Sequence, residues 1–512
     1  MLKPLPRPIR DLAPLAGLWI AVTAYYVFVV SAGHWTEWSV WSAMYDTQAS
    51  ALLSGHLHLL EPPSRALMAL ENPWDLANIR YWRWDHSYYQ GHLYLYWGMV
   101  PAFIAAAVRR LFDLPGVADN ALVFGFSIVR LVAGTLLIRD VARAAAHRPP
   151  RWVVALAMLI FALANPTPYT LARAAIYEAS IMGGAAFMVA GLYLGNRAMT
   201  AARDGAAMCW LAAASFGFGL AAGTRLNLSP IAVVLAALAG FWRWRLGDTA
   251  DRRRLGRLSA AALLPAGAIM LGHLIINQLR FHDWAEFGRR YMMTYPHFKP
   301  GLRFLLPDIW AYLFAPPELS CGFPYLQSGW DALRVSVPRW LPITWPPDHY
   351  SSEPTTGLLI AAPFCCFALV APLATIARLR LRRFADPSST SIWPTRWWAP
   401  FAARGSWLWA ALAIYVLGAA PLMLVNVTTM RYQQDFASGL QLIAIFASWR
   451  LLIAPTRPLL RRAMAWLYAA LAVATIVAGV LLGFTGYFKH FQQHNPELYY
   501  ALRDNLSVCR NR

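Results

Sequence analysis

Two acidic residues set among aromatic ones are the first candidates for chemistry. Asp46 lies in WSAMYDTQASALLSG and Asp85 in YWRWDHSYYQGHLYLYWG, both within the polar stretch 43–101. An ionised, partly desolvated carboxylate at a membrane surface can act as a general base toward a hydroxyl. Each also has a plainer reading. The Ala and Leu residues after Asp46 fit a short helix whose start the carboxylate caps, and Arg80 and Arg83 are close enough in sequence to pair with Asp85. Glu71 and Asp75, in ENPWD, fit turn caps. His92 has two readings, a structural histidine and a side chain that meets a phosphate. His56 and His58 have metal-like i, i+2 spacing without an evident third ligand, so no metal site is assigned.

Cations form a second group. Arg225 in AAGTRLNLSP and Arg431 in TTMRYQQDF each sit at the end of an apolar run, and Arg289, Arg290 and Lys299 follow in a later polar region. Snorkelling explains any one of them. Several on one face would bind a lipid phosphate or pyrophosphate. Arg431 and Asp435 also have the i, i+4 spacing of a pair within one helix. The chain has no D-x-D pair, Walker loop or G-x-G-x-x-G, which leaves a cytosolic nucleotide-sugar or ATP site without support.

The elements that position these residues follow from composition. Hydrophobic residues make up 58% of the chain and charged ones only 14%, which excludes an ordinary soluble domain and points to a polytopic helical membrane protein. Apolar runs predict eleven spans: 12–33, 119–138, 152–165, 176–195, 206–223, 228–242, 258–278, 357–377, 407–427, 436–453 and 463–485. The net charge of +20 is dealt out between them, as a topology signal rather than a nucleic-acid patch. With the N-terminus inside, RDVARAAAHRPPR, NRAMTAARDG, RWRLGDTADRRRLGR, RLRLRRFADP and RLLIAPTRPLLRR are all cytoplasmic. Asp11, Asp140, Asp204, Asp248, Asp251 and Asp386 are then the inside acids, and the remaining acidic residues gather on the outer face. The segment 93–112 is read as an interfacial helix ending at Arg109 and Arg110. The scattered cysteines, Cys209, Cys321, Cys365, Cys366 and Cys509, point to neither a zinc site nor a disulfide framework.

The resulting organisation is a cytoplasmic N-terminus and first span (1–33), a first external loop with interfacial helices (34–118) and spans two to seven (119–278). A second large external region (279–356), spans eight to eleven (357–485) and an external tail (486–512) complete it. The first external loop, with Asp46 and Asp85, is the expected active centre.

At YDTQASALLSGHLHL, DHSYYQGHLYLYWGMVPA, GTRLNLSP, WAEFGRRYMM, EPTTGLLIAAPF and RYQQDFASGL the sequence resembles the GT-C superfamily of membrane glycosyltransferases. The likeness is to bacterial relatives of the protein O-mannosyltransferase and aminoarabinose transferase group. The resemblance implies a lipid-linked donor, usually a polyprenyl-phosphate sugar, and inverting transfer on the external face of the bacterial inner membrane. Asp46 matches the family's acidic position, and Asp85 is the alternative base. Arg225 and Arg431 resemble recurrent arginines, and His92 stands where relatives carry Lys or Arg beside the donor phosphate. The mannosyltransferase H-P-P motif is absent, with WGMVP in its place, so the sugar is not carried over.

The sequence thus describes an all-α, GT-C-like polytopic membrane glycosyltransferase. Its partners would be a polyprenyl-phosphate sugar, a glycan, lipid or protein acceptor and membrane lipid, without nucleic acid. No cofactor is assigned, and a divalent cation stays open. Two rivals remain: a lipid or polysaccharide transporter, expected to carry ionisable residues in mid-span, and a non-catalytic lipid-binding subunit.

Overall fold

The computed structural model describes residues 7–145, 147–247, 251–294, 298–329, 337–338, 340–351, 353–369, 404–453, 458–487 and 489–508. The chain enters through α1 (Arg7–Val30) and then forms α2 (Met44–Leu53), α3 (Arg65–Met68) and α4 (Val100–Phe112). A helical series follows: α5 (Asp119–Ala144), α6 (Arg151–Leu163), α7 (Thr167–Ala172), α8 (Ile176–Thr200), α9 (Asp204–Thr224), α10 (Ser229–Arg245) and α11 (Arg252–Phe281).

Among the described residues, eight helical stretches are long and apolar enough to cross a membrane: Asp119–Ala144, Arg151–Ala172, Ile176–Thr200, Asp204–Thr224, Leu226–Arg245, Arg252–Phe281, Ser406–Leu424 and Pro458–His494. At 1.5 Å per residue the first is about 39 Å long, enough for a hydrocarbon core of about 30 Å. The chain is an integral multi-pass membrane protein. The eight coincide with eight of the eleven expected spans. Leu15–Val30 of α1 is a shorter apolar helix. The helix Gln434–Ile453 covers the expected span 436–453 but is not one of the eight. The span 357–377 and the loop RLRLRRFADP lie partly or wholly outside the described residues.

Small residues set the helix spacing. Gly191 of α8 faces Gly217 of α9, so closely that a Cβ on Gly217 would lie 3.2 Å from the Gly191 nitrogen. Within α5, Arg130 is fully buried in mid-span. It is satisfied by Ser438 Oγ, the Phe161 carbonyl and Gln441 Oε1, and it lies 4.1 Å from the Phe161 ring centroid. A cation at this depth is costly unless its donors are filled.

The segment 93–112 is not one helix. Its start belongs to a hairpin of β1 (His86–Tyr89) and β2 (His92–Tyr94), closed by Gln90 and Gly91 at φ 47° and 77°, as a two-residue turn with both centres left-handed requires. Only α4 is helical. Its 13 residues span about 20 Å, too short to cross, and it ends with Leu111 and Phe112 exposed beside Arg109 and Arg110. β3 (Met292–Met293) adds to β1, with His86 opposite Met293, which joins the regions 34–118 and 279–356 in one sheet. A parallel pair, Tyr350–Ser351 on Val427–Thr428, ties the second region to the turn Met430–Gln433.

Cysteine usage needs one correction. Cys209, Cys365 and Cys366 are free, but Cys321 is disulfide-bonded. Its carbonyl accepts from the Val508 amide at 3.0 Å, and the Phe323 amide donates to Ser507 Oγ at 3.0 Å. The segment around Ser507 and Val508 is therefore docked on the region 279–356.

Candidate active site

The sheet and the span ends enclose a cavity of about 500 Å³. Asp85 lines it, held at φ 63° just before β1. Its Oδ1 accepts from three hydroxyls: Tyr177 at the start of α8, Tyr96 at 3.2 Å and Thr294 at 3.2 Å. Oδ2 has no hydrogen bond among the described residues. The expected partners lie elsewhere, since Arg83 pairs with Glu61 and Arg80 lies over the Tyr81 ring. A residue beside β1 can reach α8 only across the fold, which sequence proximity does not report. The adjacent His86 is buried, and burial pushes its imidazole pKa down.

Four arginines line the same cavity: Arg173, Arg225, Arg289 and Arg431. Arg173 follows the span Arg151–Ala172, Arg225 follows Asp204–Thr224 and Arg289 follows Arg252–Phe281. Alternation of spans puts these three connections on one face, opposite the Arg-rich loops after Ala144, Thr200 and Arg245.

Carboxylates hold three of the four. Arg225 reaches Asp435 at 2.8 Å, and Asn227 donates to the same oxygen at 3.2 Å. Arg431 lies 3.4 Å from Glu178 and 3.5 Å from Glu353, while Arg173 lies 3.4 Å from Glu178. Burial works against the charge of Arg431, but the two glutamates outweigh it and its pKa stands above the ordinary arginine value. The expected Arg431–Asp435 pair does not form. Residues 430–433 are a 3-10 turn and the α-helix begins only at Gln434, so the two never share an α-helical face. Arg289 has no carboxylate partner among the described residues and donates to the Phe298 carbonyl at 3.2 Å.

The other expected site residues lie apart from this cavity. Asp46 is the third residue of α2, and its Oδ1 accepts from the Val117 amide at 2.8 Å and from Arg109 at 3.2 Å. It does not cap the helix. That place is taken by Asp119, which accepts from the Met44 and Tyr45 amides. His92 is exposed on β2, its ring stacked 4.1 Å from that of His58. Arg290 is exposed, and its amide donates to Glu286. None of the three lines the cavity. Asp75 does cap its turn, accepting from the Ala77 amide at 2.9 Å.

Sequence reading missed Arg173, Tyr177 and Glu353. The outer-end position of Arg173, directly between two apolar runs, was the available signal; a tyrosine among 22 carries none. No group of three metal-binding side chains occurs among the described residues.

No protein-family model and no curated protein matches the chain. Among solved structures it is similar to the Archaeoglobus fulgidus oligosaccharyltransferase in its apo form. Identity is 14% and the TM-score 0.49, over 92% of this chain and 56% of that one. It is also similar to the archaeal oligosaccharyltransferase AglB from Archaeoglobus fulgidus in complex with an inhibitory peptide and a dolichol-phosphate. Here identity is 13% and the TM-score 0.46, over 92% and 56%. The form tethered with an acceptor peptide containing the NVT sequon gives 12% and 0.49, over 92% and 55%. The chain thus spans little more than half the length of these structures.

Proposed function

We propose that this chain is a GT-C-type glycosyltransferase that moves a sugar from a polyprenyl-phosphate donor to an acceptor hydroxyl, with inversion. The observation that carries the reading is the cavity itself. It joins one carboxylate, whose Oδ2 has no hydrogen bond among the described residues, to four arginines, Arg173, Arg225, Arg289 and Arg431. In the proposed step Asp85 Oδ2 takes the proton of the acceptor hydroxyl, and the hydroxyl oxygen of the acceptor bonds to the anomeric carbon. The carbon–oxygen bond to phosphate breaks, and its electron pair leaves on the phosphate. Arg225, Arg289, Arg431 and Arg173 hold the growing charge, with no acid needed to protonate the leaving group. Trp84, 47% exposed, and Tyr350, 44% exposed, line the cavity and offer rings to a sugar.

The external face is part of the proposal. The disulfide at Cys321 supports an oxidising compartment on that side, and the basic loops on the opposite face support the same orientation. The acceptor class, glycan, lipid or protein, is left to experiment.

The transporter reading has one observation in its favour, the mid-span cation Arg130. Its hydrogen bonds to Ser438, Phe161 and Gln441 favour a clamp between helices over a moving charge. Purified protein in lipid, offered a panel of radiolabelled polyprenyl-phosphate sugars with candidate acceptors, tests the reading. Transfer lost in a folded Asp85→Asn variant supports it. Substrate crossing the bilayer unchanged contradicts it.

A further inference from the structure

Asn227 brings a fixed hydrogen-bond acceptor to the cavity. The residue is exposed, lines the cavity and lies in the turn Leu226–Leu228, directly after Arg225. Its Nδ2 donates to Asp435 Oδ2 at 3.2 Å. An ionised carboxylate accepts and does not donate, so this bond settles which way round the amide sits. Oδ1 is then on the arm turned away from the buried Asp435, and it has no hydrogen bond among the described residues. Arg225 also holds Asp435, through Nε at 3.1 Å and Nη2 at 2.8 Å, which anchors the amide's partner. We propose that Asn227 is a specificity-determining residue whose Oδ1 accepts a hydrogen bond from one hydroxyl of the transferred sugar. This rests on the glycosyltransferase reading above.

The partner follows from what an amide oxygen can bind. It needs an O–H or N–H. A phosphodiester oxygen offers lone pairs alone and a prenyl chain offers no donor, so neither satisfies it. A sugar brings several hydroxyls. Trp84 and Tyr350 also line the cavity, but a ring face does not tell a hydroxyl from a hydrogen. Other polar groups of the wall are already engaged. Tyr96, Tyr177 and Thr294 donate to Asp85, Ser180 donates to the Thr224 carbonyl, and Arg173, Arg225 and Arg431 face carboxylates. A site with a placed polar group rejects the analogue that leaves it unpaired.

A glycan acceptor would offer the same hydroxyl chemistry. Arg225 beside Asn227 favours the donor sugar. Its Nη1 has no hydrogen bond among the described residues and is open to the phosphate, and a single oxygen joins that phosphate to the sugar.

The test is binding, which needs neither acceptor nor turnover. Wild type and Asn227→Ala are titrated with bare polyprenyl phosphate and with a panel of polyprenyl-phosphate hexoses and pentoses. Mono-deoxy and deoxyfluoro analogues of the tightest sugar follow. The wild type should bind that sugar more tightly than the bare lipid phosphate. Asn227→Ala should weaken the sugar about tenfold and leave bare polyprenyl phosphate unchanged. One mono-deoxy analogue should be about tenfold weaker on the wild type and lose nothing further on the variant, as two changes that remove one bond require. Its deoxyfluoro counterpart should be equally weak, because fluorine donates no hydrogen bond. This last comparison needs the wild type alone, so it holds even if the variant does not fold. Equal weakening of bare polyprenyl phosphate, the same loss for every analogue, full affinity for that fluorinated sugar, or no gain from any sugar would each overturn the proposal. If polyprenyl phosphate did not bind in any form, the glycosyltransferase reading itself would fall, a distinguishable failure.

Discussion

Arg225 and Asp435 lie 210 positions apart in the chain, yet guanidinium and carboxylate meet at 2.8 Å. Asp435 is fully buried and the Arg225 side chain is 12% exposed. The pair ties the end of α9 to the helix that follows the Arg431 turn, so two cavity walls share one ion pair. Removing one partner leaves the other charge buried, at a cost of about 3–5 kcal/mol. Arg225→Ala and Asp435→Ala should each lower unfolding stability strongly in detergent. The double variant should lose clearly less than the sum of the two, and strict additivity would show that the pair carries no coupling.

This pairing marks where the sequence stops being readable. Eight spans were legible because about 20 apolar residues in a row have few alternatives. Arg225 and Arg431 were legible as cations at the ends of apolar runs, Asp85 as an acid in an aromatic polar loop, and Arg289 as one of several cations in the second polar region. Their partners were not, because Arg225–Asp435 and Arg431–Glu353 are contacts between distant segments and no local spacing encodes them. Asp46 shows the converse. An acid at the start of a short helix in an aromatic loop has the same signature whatever it faces, and the bonds of Asp46 to the Val117 amide and Arg109 are not encoded in local spacing.

Gly98 is part of the cavity wall. A Cβ there would lie 2.2 Å from the Gly223 carbonyl oxygen and 2.6 Å from that of Thr224, and neither backbone atom can rotate away. Gly98→Ala should cost about 1–3 kcal/mol through overpacking and reduce donor affinity along with stability. Gly125→Ala, in α5 with nothing within 4 Å, should be neutral or slightly stabilising. Thermal unfolding of the two variants side by side checks this.

Asp308 gives the protein a pH-dependent stability away from the reacting groups. Its Oδ1 accepts from His349 Nε2 and Thr428 Oγ1, both at 2.9 Å, and burial pushes its carboxyl pKa up. With the folded value above the unfolded one, stability is fully present below the ordinary aspartate pKa. It is lost as pH rises through the folded value. Asp308→Asn keeps an acceptor oxygen and does not titrate. From about pH 4 upward the wild-type melting temperature should fall relative to that of the variant. Parallel curves would contradict the burial argument.

Sidedness is open to direct labelling. Leu319 is 77% exposed in the second external region, and His147 is exposed in the loop after α5. With Cys209, Cys365 and Cys366 replaced, an impermeant thiol reagent on intact cells should label Leu319→Cys and not His147→Cys. The opposite pattern would invert the topology and place the cavity in the cytoplasm.

The most direct measurement compares Asp85→Asn with Asp46→Asn in single-turnover sugar transfer from a radiolabelled polyprenyl-phosphate sugar. Both proteins are reconstituted in lipid and checked for folding. The account expects Asp85→Asn to lose at least about 10²-fold in rate, the scale of general-base removal. Asp46→Asn should keep its chemistry and show a lower melting temperature, because its carboxylate anchors α2 to Arg109 and Val117. Full turnover by Asp85→Asn together with loss in a stable Asp46→Asn protein would contradict the assignment and return the base to Asp46.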